Sequence, residues 1–155
     1  MKVSTKAHYG LKVVISVAQL YKPGVPVSVT DIAREEGVTE AYVEQLVAKL
    51  RHAGILKSYR GAHGGYMLAK DPDSITVADV MAAAGEQVVF PECTAPCGCI
   101  LPRRSTRTCA STHFWQRLCL MVTGIVERTT VGDLIRESEN CDALRAKESS
   151  DAESE

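Results

Sequence analysis

No apolar run in this sequence approaches the roughly 20 residues that a membrane-crossing helix needs, and the opening Met1-Lys2-Val3-Ser4-Thr5-Lys6 lacks the apolar region of a secretory leader. A cytoplasmic protein without a membrane partner is therefore expected, in a compartment where thiols stay reduced. The four histidines show no H-E-x-x-H spacing, and no nucleophile, base and acid fall in a convincing order, so no enzyme is expected. Aromatic residues make up only 5%, but 45% apolar and 24% charged residues are ordinary for a globular chain. At 155 residues the chain is one domain, or one small domain with an appendage, and can bury roughly two-thirds of its unfolded surface. Its six cysteines are thus not needed as staples.

The net charge of −1 conceals a split. Residues 1–70 hold ten Lys or Arg against five acids, whereas residues 71–155 hold eight against fourteen. A basic front half suits a polyanion partner, although ordinary variation along a chain gives the same arithmetic. Residues 138–155 are acidic, with almost nothing apolar after Leu144, and are expected to be a disordered tail.

Capping signals divide the chain into helices. From Ser4, the apolar residues Ala7, Leu11, Val14 and Ala18 recur at helical spacing until Pro23 and Gly24. Ser28 and Asp31 have the spacing of a capping box, and Gly37 stops the short helix that follows. Thr39 then caps a third helix, with Val38 and Val43 placed as a hydrophobic staple and Leu46, Val47 and Leu50 continuing one face to Gly54. Two short helices about a glycine-containing turn suggest a helix-turn-helix. Two short strands, Ile55 to Tyr59 and Tyr66 to Ala69, flank the basic, glycine-rich tip Arg60-Gly61-Ala62-His63-Gly64-Gly65. The order is that of a winged helix, mainly α with a small β wing, in which the third helix enters a major groove and the hairpin an adjacent minor groove. A nucleotide-binding loop would need a buried strand before the glycines, then a helix and a Lys-Ser or Lys-Thr pair after them. Thr76 and Asp79 begin another short helix, which Gly85 ends, closing a winged helix-turn-helix domain at residues 1–85.

The helical pattern then lapses over residues 86–110, where Cys93, Cys97, Cys99 and Cys109 fall within 17 residues beside three prolines. Long loops in compact domains are usually functional or disordered, and four thiols favour function, since thiolates select zinc and iron–sulfur clusters. The intervening gaps of three, one and nine residues do not form a paired zinc knuckle. An iron–sulfur cluster, structural zinc, a thiol redox switch and unliganded cysteines all remain open from spacing alone. Cys119 and Cys141 are expected to be bystanders. Residues 111–137 hold a long helix with the apolar stripe Phe114, Leu118, Met121, Val122 and Ile125, then a short closing helix capped by Thr130 and Asp133. With a complete body already formed before it, that stripe is expected to pair with a second copy as a homodimer.

The chain resembles the IscR/NsrR family of bacterial iron–sulfur winged-helix regulators from Met1 to about Glu137. The resemblance is carried by Tyr42-Val43-Glu44-Gln45-Leu46, by Arg60-Gly61-Ala62-His63-Gly64-Gly65-Tyr66 and by Thr130-Val131-Gly132-Asp133-Leu134, and it is stronger to the IscR-like branch. It implies a homodimeric transcriptional regulator, a repressor on a two-fold-related double-stranded operator, that senses iron–sulfur status and controls cluster-assembly or stress genes. Nitric oxide, redox and zinc or thiol-switch sensing are the alternatives. The cluster, 2Fe–2S in preference to 4Fe–4S and supplied by donor proteins, would be held by Cys93, Cys99 and Cys109. Cys97 is a rival, because the gap before Cys109 is longer than in the family. His113 or His8 is implied as fourth ligand; a fourth cysteine or Glu92 is the remaining choice. For DNA, the resemblance assigns base reading to Glu44, with Gln45 beside it able to pair with adenine. Tyr42 and Arg51 are expected on phosphates, with Arg60 and His63 at the wing tip.

Overall fold

The computed structural model describes residues 4–23, 25–61, 64–86 and 112–152. Ser4 Oγ accepts the Lys6 amide and starts α1, Thr5–Leu20, whose buried face is Ala7, Gly10, Val13, Val14 and Val17. Ser28 caps α2, Val29–Glu36, by accepting the Asp31 amide at 3.1 Å. The second arm of this cap differs from the expected box, because the Asp31 carboxylate accepts from the Ser28 hydroxyl, at 2.7 Å. Gly37, at φ 64°, turns the chain into α3, Glu40–His52, which Thr39 caps through the Tyr42 amide. A left-handed residue is needed at that turn, and glycine adopts it without a Cβ clash.

Helix α3 buries Val43, Leu46, Val47 and Leu50. Each such side chain contributes about 1.5–3 kcal/mol when removed from water, so the buried face holds this otherwise polar helix on the body. At the other end of α2, Glu36 is nearly enclosed; it accepts from Ser16 Oγ and pairs with Lys12, joining α2 to α1. The bond to Glu36 raises the Lys12 pKa above its usual value, against the opposing effect of burial.

Strands β1, Leu56–Tyr59, and β2, Gly65–Leu68, pair antiparallel with Leu56 opposite Leu68 and Tyr59 opposite Gly65. The wing is therefore where the spacing predicts it, within a residue. Its root is also tied to the segment before α2, since Val27 and Tyr66 exchange both backbone hydrogen bonds at 2.8 Å. Gly65 is required here: a Cβ would collide with the Val27 carbonyl.

A 3-10 turn, Pro72–Ser74, leads into α4, Val77–Ala83, which begins with the predicted reciprocal box of Thr76 and Asp79. Helix α5, Thr112–Arg128, packs on α4, and α6, Val131–Ala152, packs on α1 and the 3-10 turn. Two expectations are corrected. The globular body does not close at residue 85, because Val131 is fully buried in the same core as Val13, Ile75 and Val80. The closing helix is not short, and residues 138–152 continue it where a disordered tail is expected. No glycine or proline follows Gly132, and Ala143, Leu144, Arg145, Ala146, Lys147 and Glu148 favour helix, so nothing local stops it.

Candidate nucleic-acid interface

Glu44, Gln45, Ala48, Arg51 and His52 line the solvent side of α3, opposite the buried apolar face. The core thus fixes the rotation of α3 and determines which polar groups point outward. Glu44 and Gln45 are both exposed; in general a carboxylate can accept from cytosine and an amide can pair with adenine. Arg51 is exposed in the last turn, where a cation also complements the helix dipole. Tyr42 is half-buried, and its ring meets Tyr9 of α1 edge-on, with centroids 5.7 Å apart and planes at 85°.

Arg60 leaves the end of β1 exposed at the wing tip. The turn is tight: the Gly64 amide donates to the Gly61 carbonyl at 2.9 Å, and a Cβ on Gly64 would stand 2.6 Å from the Tyr59 carbonyl oxygen. Gly61, at φ 132°, takes a conformation open to glycine. Lys57 and Tyr59 alternate onto the outer face of β1, with the Lys57 ammonium 5.9 Å from the Tyr59 ring centroid. This second cation of the wing, three residues before Arg60, was legible in the Lys57-Ser58-Tyr59 alternation but is not among the expected contacts. His63 lies outside the described residues, as do Glu92, Cys93, Cys97, Cys99 and Cys109.

The two histidines that compete as fourth ligand are both exposed. His8 stands on α1 with its ring edge-on to Tyr9, and His113 stands in the first turn of α5. Among the described residues no group of three or more His, Cys, Asp or Glu is placed to hold a metal ion. Cys119 is half-buried on α5, and Cys141 is exposed on α6. One face of α5 remains open, with Phe114, Met121 and Ile125 each at least 60% exposed.

The Thr130-Val131-Gly132-Asp133-Leu134 segment is a structural joint. Thr130 and Asp133 exchange reciprocal cap bonds at 3.0 Å, and Arg136 bridges Asp133 at 2.6 Å and Asp73 at 2.7 Å. The Thr130 amide, the Thr130 hydroxyl and Arg136 lower the Asp133 pKa to about 2. Val131 and Val77 donate backbone bonds to Ile75 and Thr129, lacing the start of α6 to the strand-like entry of α4.

A helix-turn-helix backed by the core and flanked by a cationic hairpin defines a winged-helix DNA-binding regulator. No helix among the described residues is long and apolar enough to cross a membrane. The family model of Rrf2, described as an iron-dependent transcriptional regulator, matches residues 3–137, and the chain belongs to that family. A curated relative, the HTH-type transcriptional regulator IscR of Escherichia coli O1:K1, is 32% identical over 98% of this chain and 91% of its own length. CymR, the global cysteine regulator of B. subtilis, is 34% identical with a TM-score of 0.73, over 88% of this chain and 98% of that one. IscR of T. potens is 32% identical with a TM-score of 0.70, over 91% and 90%. These relatives are named as regulators of transcription, a role without catalysis.

Proposed function

We propose that the chain is a homodimeric repressor whose grip on an operator depends on an iron–sulfur cluster. The observation that carries this reading is the placement of the cysteine-bearing segment. It leaves the end of α4, which packs against the recognition helix α3, and ends at α5, whose apolar face is open. The donor chemistry fits the cofactor: four thiols fall within 17 residues, two imidazoles are exposed on α1 and α5, and no competing acidic site occurs among the described residues. Cys93, Cys99 and Cys109 would hold the cluster, preferably 2Fe–2S, with His113 as the first candidate for fourth ligand and His8 of the partner subunit as the second.

When bound, the cluster supplies strong thiolate bonds that order the segment holding its ligands. The protein's own part is mechanical. Helix α4 transmits the position of the segment's start to α3, and α5 sets the distance between two recognition helices across the dimer. Half-sites on a duplex have fixed spacing, so a small rotation changes affinity. A coupling of about 1–3 kcal/mol gives roughly 5- to 150-fold. The regulated genes would be those for cluster assembly or stress, and the cluster would come from donor proteins.

Anaerobic purification with iron and sulfide analysis tests this reading, followed by operator titration before and after cluster removal. Iron with sulfide, and an affinity ratio in the stated range, are expected. Zinc without sulfide would reject the cluster. Cys93→Ser, Cys99→Ser or Cys109→Ser should each remove the cluster, and Cys97→Ser should not. A second reading, a cluster-free thiol switch, needs only two nearby thiols among the four, and native mass spectrometry would then find the loss of two protons in place of cluster mass.

A further inference from the structure

The last turn of α4 leaves its terminal carbonyl groups without helical partners, as every α-helix does. Most are satisfied locally. Ala84 donates to Val80, Gly85 at φ 83° donates to Ala82 at 3.0 Å, and Glu86 donates to Met81 at 3.0 Å, a six-to-one closure around a left-handed glycine. The Ala84 carbonyl is met from another element: Lys49 Nζ of α3 donates to it at 3.1 Å. Ala84 itself is buried, so this bond forms at the edge of the core. Around it, a shallow groove between the ends of α3 and α4 is lined by Ala48, Ala53, Ala82 and Ala83. Beyond the core contact of Val80 with α3, methyl groups that short interlock these two helix ends little. Among the described residues, Lys49 to Ala84 is the polar bond between them.

Lys49 also sits on the same helix as the exposed Glu44, Gln45 and Arg51, one turn from the groups that face DNA. We propose that Lys49 is a positioning residue: it ties the end of α4 to α3, and a shift at the start of the cysteine-bearing segment reaches the recognition helix through this bond. The proposal rests on the cluster-dependent reading above. A charged donor at a helix C-terminus gives the stronger class of hydrogen bond, and it also meets the negative end of the helix dipole. Loss of the donor leaves the end of α4 with only short methyl contacts to the end of α3, whereas loss of an ordinary phosphate contact weakens binding in every state alike.

Lys49→Met keeps the aliphatic stem and removes the donor, and Lys49→Arg restores a cationic donor. Operator affinity is measured for wild type and both variants, each with the cluster and after its removal, and hydrogen exchange is followed at Gly85 and Glu86. The expected result is a wild-type affinity ratio that collapses toward unity in Lys49→Met, returns in Lys49→Arg, and is accompanied by faster exchange at Gly85 and Glu86 in Lys49→Met alone. Equal weakening of both states in Lys49→Met, with the wild-type ratio intact, overturns the proposal and makes Lys49 a phosphate contact. A wild type with equal affinities in both states overturns the functional reading, and the coupling with it. The exchange rates, read without DNA or cluster, still report whether Lys49 holds α4; unchanged rates overturn that part independently. Should Lys49→Met fold poorly, Lys49→Gln, which keeps a neutral donor, is expected to retain a reduced ratio.

Discussion

Gly132 presents no side chain where the Asp73 carboxylate lies: a Cβ there would overlap Asp73 Oδ1, the oxygen that accepts from Arg136 at 2.7 Å. Gly132→Ala is therefore expected to displace Asp73, break its pair with Arg136 and loosen the start of α6. Asp73 is the far end of an exposed, flexible side chain that can swing aside, so the cost is that of a surface ion pair, about 0–1 kcal/mol. Thermal melting should show a small drop in Tm, and the double variant Asp73→Ala, Gly132→Ala should show no further loss beyond Asp73→Ala alone. An unchanged melt for Gly132→Ala would reject the close approach as a constraint.

The same joint makes stability depend on acid. Asp133 ionises at about 2 in the folded protein against 3.8 as an ordinary carboxyl. The unfolded chain therefore takes up this proton first as pH falls. The contribution of Asp133 is full above the unfolded value and is lost as pH drops from about 4 through about 2. Asp133→Asn should flatten that part of the curve of Tm against pH. Parallel curves for the two proteins would show that the carboxylate has no such role.

On DNA, Arg60→Ala should weaken binding, because a narrow minor groove attracts a guanidinium. Glu44→Ala should instead alter which bases are preferred, by about 1–3 kcal/mol at the contacted position. Arg51→Ala should weaken all sequences alike and reduce the salt slope by about 1. Titrations of matched and mismatched operators at several salt concentrations separate these outcomes. A uniform loss for Glu44→Ala, without a change of preference, would remove it from base reading.

The open face of α5 carries a prediction about assembly. Phe114, Met121 and Ile125 are exposed in the single chain, and covering each would contribute about 1.5–3 kcal/mol. Ile125→Asp should shift the protein toward monomer in sedimentation or light scattering. Its melting should then become less dependent on concentration. A variant that stays dimeric at low micromolar concentration would place the seam elsewhere.

Much of the fold was legible because its punctuation is local. Thr39, Thr76 and Thr130 act as caps where their spacing predicts, and Gly37 and Gly85 stop their helices with positive φ. Long-range facts were not legible. Val131 enters the core from 46 residues beyond Gly85, and its backbone bond to Ile75 is invisible to periodicity. The edge-on meeting of Tyr42 with Tyr9 across the helix crossing is likewise absent from any local pattern. Lys49 looks like solvated charge because its partner is a backbone carbonyl, which no side-chain pattern announces. At the tail, charge and low hydropathy point to disorder, whereas helix propensity and the absence of a breaker point to the continued helix of α6.

Val27 and Tyr66 clasp the root of the wing to the segment that enters α2, and Gly65 lets the two backbones meet without a side chain between them. The root of the hairpin is consequently riveted to the approach to α2. Any turn of that approach would carry the wing with it, as a spur follows the arm it is forged to.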